Sequence, residues 1–431
     1  MNLIIVVYYI ISILFILVHY TRYHITPALI FVSMQIVMFT GIIMSQALYP
    51  LYYVEKLSVM YLLSLVFFVS GIMVVGLIRS NKRIENSVVM EIPSIKYESY
   101  SSYQLKVIIT LVSISTIVCS IFFFNAGINI FIESIKTFIS GGNQVFTSQR
   151  KDFTEVRGVG YVYQFRTIIL PLLNIFLLVG QKNKNVKVLG VVIIPFTVSF
   201  LLGTGQRNAF VFFLLFIFIY LILQKKHFKT GISKLKLTLL FIVSTIILSI
   251  LTITNGRISS SSGNELTLSL LSILDRIFGV NSRAGLNGMM YIDSQQTVWG
   301  YDWLIMLVNI LPFKVEYTSV ASIVYNSLYG TYRGTEPPDI WSSAFYNWSW
   351  FGVIVFPFIL GIIYHSIYFW FRNKTKTPLI IFIYAGLCTY LGLWISDGPI
   401  FLFNNGVITI LIMYFLLHFK MAGINVKGKH L

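Results

Sequence analysis

Charge is what this chain has least of. Only 11% of its 431 residues are Asp, Glu, Lys or Arg, where a soluble globular protein carries roughly 25%. That is too little to clothe a water-facing surface, which excludes an ordinary soluble domain. It equally excludes a disordered chain, which needs high charge and low hydrophobicity. Cysteine is scarce too. Cys119 and Cys388 both fall inside apolar runs, so neither a disulfide framework nor a thiolate metal site is available. No glycine-rich Walker loop is present, which removes ATP as an energy source. Internal repeats, coiled-coil heptads and low-complexity tracts are also absent.

Apolar residues fill the space that charge leaves. The chain is 56% hydrophobic and 16% aromatic, with a mean hydropathy of +0.80. A bilayer core of about 30 Å takes about 20 apolar residues of helix. Runs that reach or approach this length are 2–19, 25–45, 57–78, 106–124, 160–179, 186–203, 207–223, 235–253, 351–371, 378–395 and 399–417. They predict an all-α polytopic membrane protein with about 11 transmembrane helices. The first run has neither a basic start nor a small-residue cleavage site, so it counts as a span rather than a signal peptide.

Lys and Arg set the orientation. With the N-terminus outside and the C-terminus cytoplasmic, the inner segments hold 20 basic residues against Glu85, Glu91 and Glu98, and the outer ones hold 12 basic and 12 acidic residues. The whole formal excess of +17 then lies on the inner side. That placement belongs to a membrane protein and excludes a nucleic-acid partner. Three regions follow. Residues 1–253 carry helices 1–8, with an outer loop at about 125–159. Residues 254–350 form a large outer segment, and 351–431 carry helices 9–11 with a short basic tail.

The two basic residue types divide unequally. Sixteen of twenty lysines lie inside, whereas eight of twelve arginines lie outside: Arg150, Arg157, Arg166, Arg207, Arg257, Arg276, Arg283 and Arg333. Orientation does not call for these. A guanidinium grips phosphate oxygens bidentately; the plainer reading is that they are solvated or paired with outer acids. Arg207 closes the tight turn Gly203-Thr204-Gly205-Gln206-Arg207, where a helix N-terminus offers an anion seat. Arg166 lies about two turns into its span, where snorkelling would account for it.

Within the large segment, 266–278 reads as an amphipathic helix. Arg283 follows Arg276 by seven residues, so a continuing helix would put both on one face. Aromatics crowd 291–350, Trp303, Tyr332 and Trp341 among them. They suit an interfacial belt, above all Trp348 and Trp350, or flat faces for sugar rings. In Arg333-Gly334-Thr335-Glu336-Pro337-Pro338-Asp339 the prolines stiffen a loop and Asp339 is placed to cap the next helix. Glu336 has no visible structural task. All six histidines fall on the inner side or inside spans, so outer acid–base chemistry is left to carboxylates.

The span number, the late outer segment, the Gly-x-Gly-x-Arg turn and the block Gly334-Thr335-Glu336-Pro337-Pro338…Ala344-Phe345-Tyr346-Asn347-Trp348-Ser349-Trp350-Phe351-Gly352 together resemble the Wzy-type O-antigen (oligosaccharide repeat-unit) polymerases of bacterial inner membranes. The resemblance implies a glycosyltransferase that joins undecaprenyl-pyrophosphate-linked oligosaccharides into O-antigen or a related surface polysaccharide, at the periplasmic face, with no metal, nucleotide or other cofactor. Partners would be those lipid-linked substrates, membrane lipids, a chain-length regulator and a flippase. On this reading Arg207, Arg276 and Arg283 bind pyrophosphate, with Arg257 and Arg150 secondary. Glu336 is the catalytic base with Asp275 as runner-up, unless Asp275 pairs with a neighbouring arginine. Trp303, Tyr332 and Trp341 contact sugar. A flippase or exporter of the same lipid would spread basic residues through its spans; here they gather on one face, Arg166 excepted. An O-antigen ligase, similar in architecture, usually carries a histidine in the large outer segment, which this chain lacks.

Overall fold

The computed structural model describes residues 1–85, 102–140, 153, 159–179, 184–206, 208–228, 274–308, 317–332, 334–396 and 406–418. Among these residues all regular structure is helical, and nine helices are long and apolar enough to cross a membrane. They are α1 (Asn2–Tyr23), α2 (Pro27–Met44), α3 (Leu51–Glu85), α4 (Ser102–Ala126), α6 (Val159–Gln164, Phe165–Ile169 and Leu170–Val179 in succession), α7 (Lys184–Leu202), α8 (Asn208–Phe228), α12 (Ile340–Asn373) and α13 (Pro378–Gly392, carried on to Ile395 by a short 3-10 turn). Shorter helices are α5 (Ile130–Ile139), α9 (Asp275–Val280 leading into Asn281–Ile292), α10 (Tyr301–Val308), α11 (Val320–Tyr329) and α14 (Val407–His418). The expected span at 235–253 lies outside the described residues. So does the first part of 399–417, of which α14 supplies twelve residues.

Local chemistry sets several helix starts. Thr26 and Thr377 each precede a proline, and each side chain accepts a hydrogen bond from the N–H three residues on, at Leu29 and Ile380. Proline at the first helical position loses no bond there, so the Thr-Pro pair caps and starts the helix at once. The third apolar run was expected from 57, but α3 begins at Leu51 and takes in Glu55 and Lys56.

The bundle is organised around α13, every residue of which is buried. Beside it α3 and α12 cross with their backbones touching. A Cβ on Gly71 would lie 2.1 Å from the Phe358 carbonyl oxygen, and one on Gly361 would lie 2.1 Å from that of Phe68. Small residues allow such close approach, and dispersion then holds helices that gain little from hydrophobicity inside lipid.

The sequence places the start of the ninth expected span at 351, but α12 begins at Ile340 and breaks at Trp348 and Ser349, which leave helical φ/ψ. The break persists because other groups satisfy it: Val298 N donates to the Tyr346 carbonyl (3.1 Å) and Gly300 N to that of Asn347 (3.1 Å). The eight residues before the break form a separate short rod, and its N-terminus meets the candidate site.

Candidate functional site

α9 builds one wall of the site. Its first six residues, Asp275–Val280, form a π turn, which inserts one residue into the helical repeat. Eight positions then span about two turns, as seven do in an α-helix. Asp275 and Arg283 therefore fall on one stripe and meet in a bidentate ion pair, 2.8 Å at each contact. The pair passes over Gly279, where a Cβ would come within 2.4 Å of Asp275 Oδ1 and 2.7 Å of Arg283 Nη1. The side chain of Arg276, expected on one face with Arg283, lies outside the described residues; Arg283 pairs with Asp275.

One turn beyond Arg283, Asn287 continues the stripe. Its Nδ2 donates to Glu336 Oε1 (3.2 Å) and its Oδ1 accepts from the Tyr49 hydroxyl (3.0 Å). Tyr49 comes from the joint between α2 and α3. The opposite wall is the loop 334–339, fastened at four points. Gly334 lies under the Tyr325 ring, with room for no side chain (Cβ to Cζ 2.4 Å). Glu336 N donates to the Ala321 carbonyl (2.9 Å). Pro338 and Asp339 enter notches in α9 left by Gly288 and Gly285, where a Cβ would lie 2.5 Å and 2.4 Å from them. Asp339 caps α12 as expected, its Oδ1 accepting from Trp341 N (2.8 Å) and Ser342 N (3.0 Å) and its Oδ2 from the Ser342 hydroxyl (2.9 Å). Lys56 of α3 pairs with Asp293 at the end of α9 and fixes that end to the bundle.

Two carboxylates thus share the site in different states. Glu336 is half-buried, and burial raises its pKa above the ordinary carboxylate value; the Asn287 hydrogen bond and the nearby Arg283 charge oppose the rise. Asp275 is half-exposed, and its hydrogen bonds from Arg283 hold its pKa below the ordinary value. Of the two, Glu336 has the greater proton affinity and the weaker tie to a cation. That makes it the better base, and Asp275 serves to fix Arg283.

The aromatic expectations divide. Trp341 is fully buried with Phe31 against it (ring centroids 6.0 Å), and Trp303 lies between Trp348 (4.3 Å) and Phe356 (4.7 Å), its Nε1 donating to the Ser343 hydroxyl (2.8 Å). Protein covers both rings, so the expectation that they contact sugar is corrected: their burial serves packing. Tyr332 is 62% exposed and keeps an open face. Tyr329, exposed, stacks obliquely on Tyr325 (4.5 Å) and lies close enough to Glu336 to feel its charge.

Arg166 does not snorkel. It is buried at the π turn of α6, Nη1 donating to the carbonyls of Phe200 (3.3 Å) and Leu201 (3.0 Å) and to Thr204 Oγ1 (2.8 Å), and Nη2 to Gln206 Oε1 (2.7 Å). The cation sits on the negative end of α7 and pins the Gly203–Gln206 turn. Arg207, Arg257 and Arg150 lie outside the described residues, as does the side chain of Arg276. Among the described residues no group of three or more His, Cys, Asp or Glu is placed to hold a metal ion.

Sequence reasoning missed Tyr49 and Asn287. Asn287, four residues after Arg283, carries a helical-spacing signal; Tyr49, 238 positions from Asn287, carries none. Comparison with known proteins returned nothing: no family model, no curated protein and no solved structure matches the chain.

Proposed function

We propose that the protein is a glycan polymerase of the bacterial inner membrane, joining undecaprenyl-pyrophosphate-linked oligosaccharide units into O-antigen or a related surface polysaccharide at the periplasmic leaflet. The observation that carries this reading is the half-buried Glu336 carboxylate, held by Asn287, itself bonded to Tyr49, within electrostatic reach of the Arg283 guanidinium.

In this reading the acceptor sugar's hydroxyl oxygen attacks the anomeric carbon of the donor glycan. Its proton passes to Glu336. The bond from the anomeric carbon to the pyrophosphate oxygen breaks, and undecaprenyl pyrophosphate departs with the electron pair. Negative charge grows on the leaving group, and a guanidinium already fixed in place stabilises it without reorganisation. Arg283 has that fixity from Asp275. Arg207, Arg276, Arg257 and Arg150 complete the cationic set, and Tyr332 offers a ring face to a sugar. The reaction draws on no metal or nucleotide.

The test is reconstitution of the purified protein with a lipid-linked oligosaccharide, the product resolved by length on a gel. Wild type gives a ladder and Glu336→Gln gives single units. A full ladder from Glu336→Gln overturns the assignment of the base. Wild-type protein that moves the substrate between leaflets without lengthening it overturns the polymerase reading in favour of an exporter.

A further inference from the structure

Behind the Glu336 loop, the helices bury polar groups that no neighbour among the described residues satisfies. Gln35 lies on the α2 stripe between Phe31 and Phe39, fully buried, and neither its Oε1 nor its Nε2 has a hydrogen-bond partner among the described residues. One turn to one side, Phe31 meets the edge of Trp341, whose indole Nε1 is buried and equally unpartnered. One turn to the other side, Phe39 packs on Tyr61 (ring centroids 6.0 Å), whose hydroxyl is buried and unpartnered as well. Tyr61 is near enough to Asp339 for the carboxylate charge to act on it, and Asp339 precedes Trp341 by two residues. Side chains from α2, α3 and the start of α12 therefore converge on one region beneath the loop.

The chemistry of these groups narrows what they can hold. Trp341 only donates, Asp339 accepts, and Gln35 and Tyr61 do both. Asp339 is fully buried, and none of the ion pairs among the described residues involves it. An apolar occupant would leave Gln35, Tyr61 and Trp341 unsatisfied. The indole and amide N–H groups turn away a cation, and the carboxylate turns away an anion. Water donates and accepts, and buried waters commonly make about three hydrogen bonds to groups of this kind.

We propose that Gln35, Tyr61, Trp341 and Asp339 form an internal hydration site, a small set of bound waters linking the first three side chains to the carboxylate. The site solvates Asp339 from the membrane side. It gives that carboxylate a route for proton exchange directly beneath the loop that carries Glu336, and it does not depend on the polymerase reading.

X-ray radiolytic footprinting of the full chain in lipid nanodiscs tests this, because hydroxyl radicals born from bound water modify the side chains beside it whatever their exposure to bulk. Tyr61 and Trp341 become modified in the wild type. Tyr364, fully buried with its hydroxyl bonded to the Leu391 carbonyl (2.7 Å), and buried Phe382 remain silent. Gln35→Leu removes the central anchor, and modification of Tyr61 and Trp341 is lost. Tyr61 and Trp341 as silent as Tyr364 in the wild type overturn the proposal whether or not the variant folds. Modification that persists unchanged in Gln35→Leu overturns it too.

Discussion

Glu336 illustrates how one residue's surroundings set its chemistry. Burial raises its proton affinity, and the Asn287 hydrogen bond, which favours the ionised form, holds the rise in check. In the proposed function Glu336 is a general base, which works only when ionised, so activity would fall as pH drops through this raised pKa. Asn287→Leu removes the opposing hydrogen bond, and the acid limb of the pH–rate profile then moves to higher pH. A limb that stays in place or moves lower would separate Asn287 from the base. Glu336→Gln costs the general-base contribution, about 10²–10⁴-fold in turnover, with the melting temperature unchanged. Asp339 differs because burial raises it to about 6 while its carboxylate also caps α12. The ionised form is the disfavoured one in the fold, so stability is lower above pH 6 and recovers as pH falls through that value. Asp339→Asn keeps an acceptor for the cap and flattens this dependence; Asp339→Ala loses the cap, about 1 kcal/mol. Melting temperatures of the three proteins across pH 5 to 7 distinguish these outcomes.

At the scale of the element, α9 and the loop 334–339 are one assembly, joined by two glycine notches. Gly288→Ala would put a methyl group 2.5 Å from the Pro338 ring, which cannot rotate away. The loop must move, at a cost of about 1–3 kcal/mol, and it takes Glu336 from Asn287. The variant melts lower and loses turnover together, whereas Gly160→Ala, with open space around it, changes neither. This scale also shows where sequence reading stops. Of the helix expected over 266–278, residues 266–273 lie outside the described residues, and the helix seen from Asp275 runs on to Ile292. The π turn was not legible, because no residue pattern announces an inserted residue, and it is that residue which brings Asp275 onto the stripe of Arg283. Trp303 and Trp341 were misread for a related reason: an aromatic in an outer segment is as fit to be packed as to be exposed, and composition does not tell which. Glu336 stood out because the cap belonged to Asp339 and left it without a structural task.

At the scale of the whole molecule, the nine membrane-length helices among the described residues follow from hydropathy alone, since a bilayer demands length and apolarity and little else. Which helices meet is a matter of shape. Gly71 and Gly361 are far apart in the chain, yet they notch the same crossing of α3 and α12, and glycine in an apolar run has many uses. Their substitutions should not add. Gly71→Leu and Gly361→Leu each force the same two backbones apart, so the double variant costs less than the two single costs together, by a coupling of about 0.5–3 kcal/mol, read from unfolding in detergent. Orientation rests on lysine placement and has its own test. Lys136, Ser294 and Lys374 are exposed outside the membrane-length helices, and exposed Lys184 is the first residue of α7; the positive-inside rule puts 136 and 294 outside and 184 and 374 inside. With cysteine introduced singly at each, a membrane-impermeant maleimide added to intact cells reacts at 136 and 294, and reaches 184 and 374 only after permeabilisation. Cys119 and Cys388 are buried and contribute no background. The reverse pattern would put Glu336 and Arg283 on the cytoplasmic side, where a periplasmic polymerase has no use for them.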